Sequence, residues 1–385
     1  MGAFSRVWLV DRHSSNRSHR PSAIEPHSQT IPELTLLNRL GDPAVCGYDF
    51  DMSQAPHIPL VDRFGRIHTS LRLSVTDRCN IRCYYCMPET GAQFVPKDRI
   101  LSFEEMHRLA CLLVQQGGIR DIRITGGEPL VRQEIPRLIE MLAGIEKLED
   151  LSLTTNGILL ADQAQALRQA GLKRLNISLD TLDDTIFRKI TRRDGLEKTL
   201  QGIDAAIECG FDSIKLNTLA IKGVTEPEVA NLVRYALDRN VMLRFIEFMP
   251  LDSDRAWNHE RVLSGDQLLS ILRQTFGTLE EISRPDPSQP AEEFQIGKGR
   301  IGIIRSITAP FCGACNRIRI TADGAVRNCL FAQTETPIRV FMREGASDDE
   351  LLAAIRGCLA EKSEAHGINE QGFEPPDRPM YAIGG

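Results

Sequence analysis

Residues 71–86 read LRLSVTDRCNIRCYYC, a short β-rich run followed at once by a loop that contains three cysteines. Five more β-rich runs follow at residues 121–125, 151–155, 174–179, 213–219 and 243–249, and stretches with helical periodicity separate them. Strands that alternate with helices form parallel βαβ units, which cross over in the right-handed sense. Six such units predict an α/β fold, either an open doubly wound sheet or a partial barrel, and periodicity does not choose between the two.

The alternation of strands and helices ends near residue 249. A helical pattern near residues 267–276 and a Pro-rich linker at residues 285–290 come next, followed by β-rich runs at residues 300–308 and 317–330. Within the last run, Asp323-Gly324 is typical of a hairpin turn. We therefore expect an α/β unit over residues 57–250 and a smaller β-rich unit over residues 251–385.

Composition narrows the functional class. The 385 residues include 46 Lys and Arg against 52 Asp and Glu, for a net charge of −6, and 42% are hydrophobic. These values are typical of a soluble globular protein, and the net acidity argues against a nucleic-acid partner. No run approaches the ~18 consecutive apolar residues of a membrane span. We expect neither a nucleic-acid nor a membrane partner.

The first 56 residues show no sustained periodicity and are rich in Pro, Ser and His, so we expect a poorly ordered extension. They lack the apolar segment of a secretory signal, which favours the cytoplasm. Several arginines near the start leave a mitochondrial transit peptide as an alternative, against which Asp11 and Glu25 count. Met52 precedes the first regular segment and is an alternative to residue 1 as the translation start.

The first cysteine triad consists of Cys79, Cys83 and Cys86. In a reducing compartment, clustered thiols more often bind metal or take part in catalysis than form disulfides. Three thiolates can hold three irons of a cubane and leave the fourth iron free to bind a substrate. Structural zinc is the alternative, but it needs four ligands and no histidine lies nearby in the sequence. The spacing favours an iron-sulfur cluster.

A second triad lies in the C-terminal β-rich region and consists of Cys312, Cys315 and Cys329. Taken alone, this spacing is compatible with a zinc ribbon that lacks one ligand or with a second iron-sulfur cluster. The presence of the first triad favours the second cluster.

Several motifs together resemble a known family. Cys-x3-Cys-x2-Cys with Tyr85 before its last cysteine, and Gly126-Gly127-Glu128-Pro129 after the second strand, resemble the radical S-adenosylmethionine (SAM) enzymes. Five further runs are similar to the MoaA family of GTP 3′,8-cyclases in molybdenum cofactor biosynthesis: RITGGEPL (123–130), TTNG (154–157), NISLD (176–180), RFIEFMP (244–250) and FCGACNRIR (311–319). The resemblance covers residues 57–385.

The resemblance implies a fold and cofactors. It implies an incomplete (βα)6 TIM-like barrel whose open side is covered by a C-terminal β-rich subdomain. One 4Fe-4S cluster would bind Cys79, Cys83 and Cys86, and a second would bind Cys312, Cys315 and Cys329, at the two ends of an internal cavity. SAM would bind the first cluster, with contacts mapping to Tyr85, Gly127, Ser178 and Met249.

The resemblance also implies an activity. A 5′-deoxyadenosyl radical derived from SAM would take a hydrogen atom from ribose C3′ of GTP, and C3′ would then bond to guanine C8. This lyase reaction is the first step of molybdenum cofactor biosynthesis. GTP contacts map to Arg72, Arg123, Thr154, Lys215, Arg317 and Arg319, and the Gly384-Gly385 tail would reach the active site together with Arg72, Arg317 and Arg319.

The implied partners are a flavodoxin- or ferredoxin-type electron donor, a second copy of the chain in a homodimer, and the cyclic pyranopterin monophosphate synthase that receives the product. Two other readings compete with the cyclase. One is another radical SAM enzyme with an auxiliary cluster, of the peptide maturase type. The other is a non-catalytic iron-sulfur or zinc protein.

Side-chain alternation supports a ligand-filled interior independently of the resemblance. Side chains two residues apart on a strand share a face, and polar residues share one face on five predicted strands. The pairs are Arg72 with Ser74, Arg123 with Thr125, Asn176 with Ser178, Lys215 with Asn217, and Arg317 with Arg319. Each basic residue alone would be read as a surface group. Five on strand positions that face one interior favour binding of an anion such as a triphosphate.

Overall fold

A computed structural model describes residues 58–384. The predicted extension over residues 1–56, the alternative start at Met52, and Gly385 lie outside the described residues. Six parallel strands are separated by six helices, one in each connection except for two between β4 and β5. The strands are β1 (Ser70–Ser74), β2 (Asp121–Thr125), β3 (Asp150–Thr155), β4 (Arg174–Ser178), β5 (Ser213–Ala220) and β6 (Met242–Glu247). The helices are α1 (Phe103–Gln115), α2 (Ile135–Ala143), α3 (Leu160–Gln169), α4 (Asp184–Thr191), α5 (Leu196–Glu208) and α6 (Val229–Asp238).

The C-terminal part contains shorter elements. They are α7 (Gly265–Phe276), β7 (Glu280–Ile282), β8 (Glu292–Ile296), β9 (Gly299–Ile304), β10 (Arg317–Ile320), β11 (Val326–Arg327), α8 (Ile338–Arg343), α9 (Asp348–Ala360) and α10 (Met380–Ile383). The hairpin predicted at Asp323-Gly324 joins the antiparallel strands β10 and β11. Strands β7 and β8 flank the Pro-rich linker and were not predicted. β7 is the edge strand and β8 lies next to it, and both are short segments of mostly polar, partly exposed side chains in which only Phe294 and Ile296 are buried.

One 11-stranded sheet runs through both parts in the order β11-β10-β1-β2-β3-β4-β5-β6-β9-β8-β7. Strand β10 lies parallel to β1 at one side of the six-stranded unit, and β9 lies parallel to β6 at the other. The C-terminal strands therefore extend both sides of the α/β unit. The domain boundary at residue 250 stays a prediction, with strands from both sides of it in one sheet.

Strand β1 shows how alternation sets the two sides of the sheet. Leu71 and Leu73 are fully buried in the hydrophobic core, which the helices share. Ser70, Arg72 and Ser74 alternate with them and are buried as well, so the opposite face is polar yet shielded from solvent. A polar interior face of this kind is a place for a ligand.

Helix α1 follows the cysteine loop and begins at a capping box. The Ser102 hydroxyl accepts from the Glu105 N–H, and the Glu105 carboxylate accepts from the Ser102 N–H. Such a cap stabilises a helix by about 1 kcal/mol. Among residues 58–384, no helix is long and apolar enough to cross a bilayer.

Candidate active site

A cavity of about 300 Å³ lies beside the carboxyl ends of the six central strands. This is the end at which parallel α/β barrels carry their active sites. The three cysteines of the first triad line it. So do all four predicted SAM contacts, Tyr85, Gly127, Ser178 and Met249, and four of the predicted GTP contacts, Arg72, Arg123, Thr154 and Arg319. Lys215 and Arg317, the other two predicted GTP contacts, do not line it.

Backbone hydrogen bonds hold the first cysteine loop. The Arg82 N–H donates to the Thr191 carbonyl at 2.8 Å, and the Tyr84 N–H donates to the Ile190 carbonyl at 3.1 Å. Both acceptors lie at the end of α4, so the loop is fixed to the barrel wall rather than exposed as a free segment. The cysteine side chains are thereby presented to the cavity.

The thiols of the first triad lie in an environment that disfavours thiolates in the absence of a metal. Burial raises the pKa of Cys79 to about 11 and that of Cys86 to about 12, and it holds the pKa of Cys83 well above its usual value. The Glu128 carboxylate raises the pKa of Cys79 further, and the thiols raise one another's. A metal that binds a thiol deprotonates it outright. Three thiols that line one cavity are a donor set that an iron-sulfur cluster would use.

Within the described range 58–384, no three His, Cys, Asp or Glu side chains surround a point at which one metal ion would sit. The three thiols of the first triad line one cavity, and in a cubane each would bind a separate iron rather than share one ion.

The Gly126-Gly127 turn after β2 lies against the segment that leads into the cysteine loop. The Gly127 N–H donates to the Thr76 carbonyl at 2.7 Å, and the Glu128 N–H donates to the Arg78 carbonyl at 2.8 Å. A Cβ atom at Gly127 would lie 2.5 Å from the Arg78 carbonyl oxygen. Only glycine allows this approach. The close contact brings the backbone of the turn next to Cys79.

Glu128 is a buried carboxylate that the sequence analysis left without a role. It accepts hydrogen bonds from the Leu130 N–H, the Thr155 hydroxyl and the Asn156 N–H. Burial raises its pKa to about 7, and these three bonds oppose the shift. The carboxylate thus ties the turn after β2 to the end of β3. In the sequence, the position of Glu128 directly after Gly126-Gly127 is the feature that could have identified it.

Tyr85 is fixed by a carboxylate. Its hydroxyl donates to Asp180 Oδ2 at 2.6 Å, and the Leu219 N–H donates to Asp180 Oδ1 at 2.9 Å. Burial raises the pKa of Asp180, while these two hydrogen bonds oppose the shift. Asp180 is the last residue of the NISLD run, and no function was predicted for it. The structure shows that it orients the ring of Tyr85 at the cavity wall.

Three arginines occupy matched positions on neighbouring strands. Arg72 on β1 pairs in register with Arg123 on β2 and with Arg319 on β10. Residues paired in register share a face of the sheet, so the three guanidinium groups point to the same side. Burial, followed by the charge of Arg72, lowers the pKa of Arg319 to about 9 and holds that of Arg123 well below its usual value. Clustered like charges of this kind favour a bound anion.

Further basic side chains extend the cluster. Burial, followed by the charges of Arg244 and Arg174, lowers the pKa of Lys215 to about 8. In the described part of the chain, seven basic residues form the cluster: Arg72, Arg123, Arg174, Lys215, Arg244, Arg317 and Arg319. Three carboxylates interact with them, those of Asp121, Asp150 and Glu293. This polar face of the sheet, of which Arg72, Arg123 and Arg319 line the cavity, therefore has an excess of positive charge, which suits a polyphosphate.

The sequence analysis missed Arg174 and Arg244. Arg244 is buried on β6 and donates to Asn217 Oδ1 at 3.0 Å and to Asn176 Oδ1 at 2.6 Å. Arg174 forms an ion pair with Asp150. The alternation rule that identified Asn176 and Asn217 would have found Arg244 as well, had it been applied to the sixth strand.

The C-terminal tail enters the cavity region. The Gly384 carbonyl accepts from Arg319 Nη1 at 3.2 Å and from the Thr125 hydroxyl at 3.3 Å. Gly384 has a φ of +86°, and a Cβ atom there would lie 2.4 Å from Ser74 Cβ. Glycine is therefore required at this position both by its backbone angle and by its neighbours. Gly385 lies outside the described residues.

The second triad lies beside β10 and β11 and does not line the 300 Å³ cavity. Burial and the neighbouring thiols raise the pKa of Cys312. Cys315 behaves differently: burial acts to raise its pKa, but Lys362 and Arg317 outweigh it and lower the pKa below its usual value. The three thiols lie close enough to influence one another, which suits a shared ligand. Whether they carry a second cluster stays a prediction.

Comparison with known proteins places this geometry in a family. The Radical SAM superfamily model matches residues 73–236, and the Molybdenum Cofactor Synthesis C model matches residues 241–368. A curated GTP 3′,8-cyclase from Rhodopirellula baltica is 58% identical over 351 residues, which cover 90% of this chain and 97% of the relative. The chain belongs to the GTP 3′,8-cyclase family. Another GTP 3′,8-cyclase, from Mycobacterium sp. (strain KMS), is 45% identical, covering 85% of this chain and 94% of the relative.

The fold of this chain is similar to that of a protein of known structure. Streptococcus suis SuiB, solved with precursor peptide SuiA, matches with a TM-score of 0.55 over 83% of this chain and 77% of SuiB, at 13% identity. The comparisons confirm the predicted α/β radical SAM fold and the predicted family. Membership also assigns the radical SAM cofactors, SAM and a 4Fe-4S cluster, to this chain.

Proposed function

We propose that this enzyme converts GTP into (8S)-3′,8-cyclo-7,8-dihydroguanosine 5′-triphosphate, the first step of molybdenum cofactor biosynthesis. Family membership supports the reaction. The structural observation that carries the proposal is the register match of Arg319, Arg72 and Arg123 on the polar face of a cavity that also borders the first cysteine triad. The product keeps the triphosphate, so these arginines serve binding and orientation.

The first triad, Cys79, Cys83 and Cys86, would hold the 4Fe-4S cluster that binds SAM. When bound, such a cluster supplies the electron that splits SAM into methionine and a 5′-deoxyadenosyl radical. Cys312, Cys315 and Cys329 would hold a second cluster on the GTP side. The protein's own task is to hold both substrates in place and to exclude water and oxygen from the site.

The SAM subsite would consist of Tyr85, Gly127, Ser178 and Met249. All four line the same cavity as the first triad. The hydrogen bond to Asp180 fixes the Tyr85 ring. The absence of a side chain at Gly127 leaves its backbone accessible to a ligand. The subsite is thus preorganised before SAM binds, which lowers the entropic cost of orienting it.

The GTP subsite would consist of Arg72, Arg123, Thr154, Lys215, Arg317 and Arg319. Arg123 currently donates only a long bond of 3.3 Å to the Ser152 hydroxyl, so most of its donors are available to phosphate oxygens. Arg319 already contacts a carbonyl of the tail. We propose that Gly384 and Gly385 close the site beside bound nucleotide, with Arg72, Arg317 and Arg319 orienting the ribose and the base.

This function also requires or implies three partners. We propose a flavodoxin- or ferredoxin-type electron donor, because the cluster needs one-electron reduction. A homodimer and delivery of product to cyclic pyranopterin monophosphate synthase complete the proposed partners. We also propose a cytoplasmic location, where the cluster thiols stay reduced.

An anaerobic assay tests the function directly. Reconstituted protein is incubated with SAM and dithionite, with and without GTP, and 5′-deoxyadenosine and guanosine nucleotides are quantified by mass spectrometry. The proposal predicts deoxyadenosine that depends on GTP, together with a cyclised nucleotide. Deoxyadenosine without any change in GTP would reject GTP as the substrate. Absence of SAM cleavage by protein with full iron loading would reject the radical chemistry.

A further inference from the structure

Lys362 is a buried lysine beside the second cysteine triad. The residue is 3% exposed, and it lies just after the end of α9. Its Nζ donates to Cys315 Sγ at 3.4 Å and to the Arg317 carbonyl at 2.9 Å. Neither of these two acceptors is a carboxylate. The sulfurs of Cys315 and Cys329 are the anionic groups that act on it.

A buried ammonium without a carboxylate partner is costly, because the interior solvates charge poorly. A cluster bound by three thiolates is anionic and would balance the lysine charge.

Arg66 also holds Lys362 in place, because it binds the backbone of the two residues that follow Lys362. Arg66 Nη1 donates to the Cys312 and Glu364 carbonyls at 2.8 and 2.7 Å, and Nη2 donates to the Ser363 carbonyl at 2.7 Å. One guanidinium thus links the triad loop to the segment that carries Lys362.

We propose that Lys362 is a positioning residue for the second cluster, whose ammonium donates a hydrogen bond to the Cys315 sulfur and raises the cluster's reduction potential. This inference rests on the proposed function, which places a 4Fe-4S cluster on Cys312, Cys315 and Cys329. Reduction adds one electron to the cluster. A fixed positive charge nearby stabilises the added negative charge, and hydrogen bonds to cluster sulfurs act in the same direction.

Redox titration followed by electron paramagnetic resonance tests the inference in reconstituted full-length protein. Cys315→Ala identifies which of the two cluster signals belongs to the second triad. Lys362→Met should make that signal harder to reduce, lowering the ratio of reduced to oxidised cluster about ten-fold at a fixed potential, which corresponds to about −59 mV. The signal of the first cluster in the same molecules should not move, and it serves as an internal reference.

Lys173→Met is the matched control variant. Lys173 also donates to a backbone carbonyl, that of Glu149 at 2.8 Å, but it is exposed and contacts no thiol. In Lys173→Met, the reduction potentials of both clusters should equal those of the unchanged protein. Lys362→Arg keeps the positive charge and should leave the second potential closer to the parent value than Lys362→Gln does. If Lys362→Met loses the second cluster altogether, the Arg and Gln variants decide the matter, and equal potentials in these two would overturn the inference.

The outcomes separate the inference from the function on which it rests. Two clusters in the unchanged protein, with no shift of the second potential in Lys362→Met, would overturn the role of Lys362 and leave the proposed function intact. Iron analysis and resonance that reveal only one cluster in the unchanged protein would overturn the second cluster and the inference together. A shift confined to the second cluster would support both.

Discussion

Arg72 and Arg319 are paired in register across β1 and β10, so the buried guanidinium of Arg72 and the partly buried guanidinium of Arg319 share one face of the sheet. These strands are more than 240 positions apart in the chain, yet they are direct neighbours in the sheet. Arg72 forms one long ion pair, with Asp121 at 3.5 Å. The protein therefore neutralises the positive charge of these two guanidinium groups only in part. An anionic ligand bound beside them would neutralise the rest.

Replacing Arg123 by Met should weaken GTP binding and stabilise the ligand-free fold. A charge-assisted hydrogen bond is worth about 1.5–3 kcal/mol, so the dissociation constant for GTP should rise by about ten- to a hundred-fold. The melting temperature of the ligand-free protein should rise, because a buried charge that repels Arg72 and Arg244 is removed. Equilibrium dialysis and thermal melts measure the two effects. Arg137→Met, at an exposed ion pair with Glu104, is the control and should change neither. Unaltered GTP affinity in Arg123→Met would contradict the phosphate role.

GTP affinity should fall as the pH rises above about 8. In the ligand-free protein, the pKa of Lys215 is lowered to about 8 from an ordinary value of 10.5, so the side chain loses its charge above pH 8. Bound polyphosphate favours the ammonium, and binding should therefore take up a proton in this range. Titration calorimetry at pH 7.5 and 9 in two buffers of different ionisation enthalpy measures that uptake.

Lys215→Arg is the control for this pH dependence, because its guanidinium stays charged and the fall above pH 8 should disappear. Lys215 also makes the stability of the fold depend on pH. The unfolded chain holds the proton more tightly, so Lys215 destabilises the fold fully below pH 8, and the penalty fades as the pH rises from about 8 to 10.5. Identical pH profiles for Lys215→Arg and the unchanged protein would argue against this assignment.

Gly384→Ala should impair cyclisation while leaving SAM binding intact. The new Cβ would lie 2.4 Å from Ser74 Cβ, which displaces the tail and breaks the contacts of its carbonyl with Arg319 and Thr125. Gly372→Ala is a matched control, since Gly372 has the same φ of +86° and nothing within 4 Å of an added Cβ. Both variants carry the backbone strain, but only Gly384→Ala carries the clash. Product formation measured by mass spectrometry should drop in Gly384→Ala far more than in Gly372→Ala; equal losses would remove the tail from the site.

The two cysteine triads should have separable functions. Cys79→Ala should abolish SAM cleavage, whereas Cys329→Ala should lower iron by about half and impair GTP conversion while some SAM cleavage remains. Cys358→Ala is the control, since Cys358 is buried but lies outside both triads. Iron analysis and deoxyadenosine yield are the readouts. Full iron content in Cys329→Ala would show that Cys329 is not a cluster ligand.

Tyr85→Phe should destabilise the ligand-free protein by about 1–3 kcal/mol, because it removes one of two hydrogen bonds to the partly buried Asp180 carboxylate. Tyr235→Phe provides the comparison, since the buried Tyr235 hydroxyl has no hydrogen-bond partner in the described structure and its loss should cost little. Thermal melts of both variants measure the difference. Similar melting temperatures would mean that the contact between Tyr85 and Asp180 does not hold the cysteine loop.

The six βα units, the two cysteine triads and the family could all be predicted from the amino-acid sequence. These features rest on local signals, namely hydrophobic periodicity, turn residues and cysteine spacing. Alternation along single strands also found Arg72, Arg123 and Arg319, because strand geometry fixes which side chains share a face. Strands β7 and β8 were missed because these short, mostly polar segments give only a weak signal of this kind.

Contacts between residues that are distant in the sequence could not be predicted in this way, because they depend on how whole elements pack. The register between β1 and β10 put Arg319 beside Arg72, and no local pattern encodes a pairing across so long a stretch of chain. The same holds for the contact of Asp180 with Tyr85, for the Gly384 carbonyl on Arg319, and for Lys362 against Cys315. Their partners are set by the packing of whole elements. Local sequence specifies the elements and their faces, while the long-range burial of the sheet selects the neighbours that form the site.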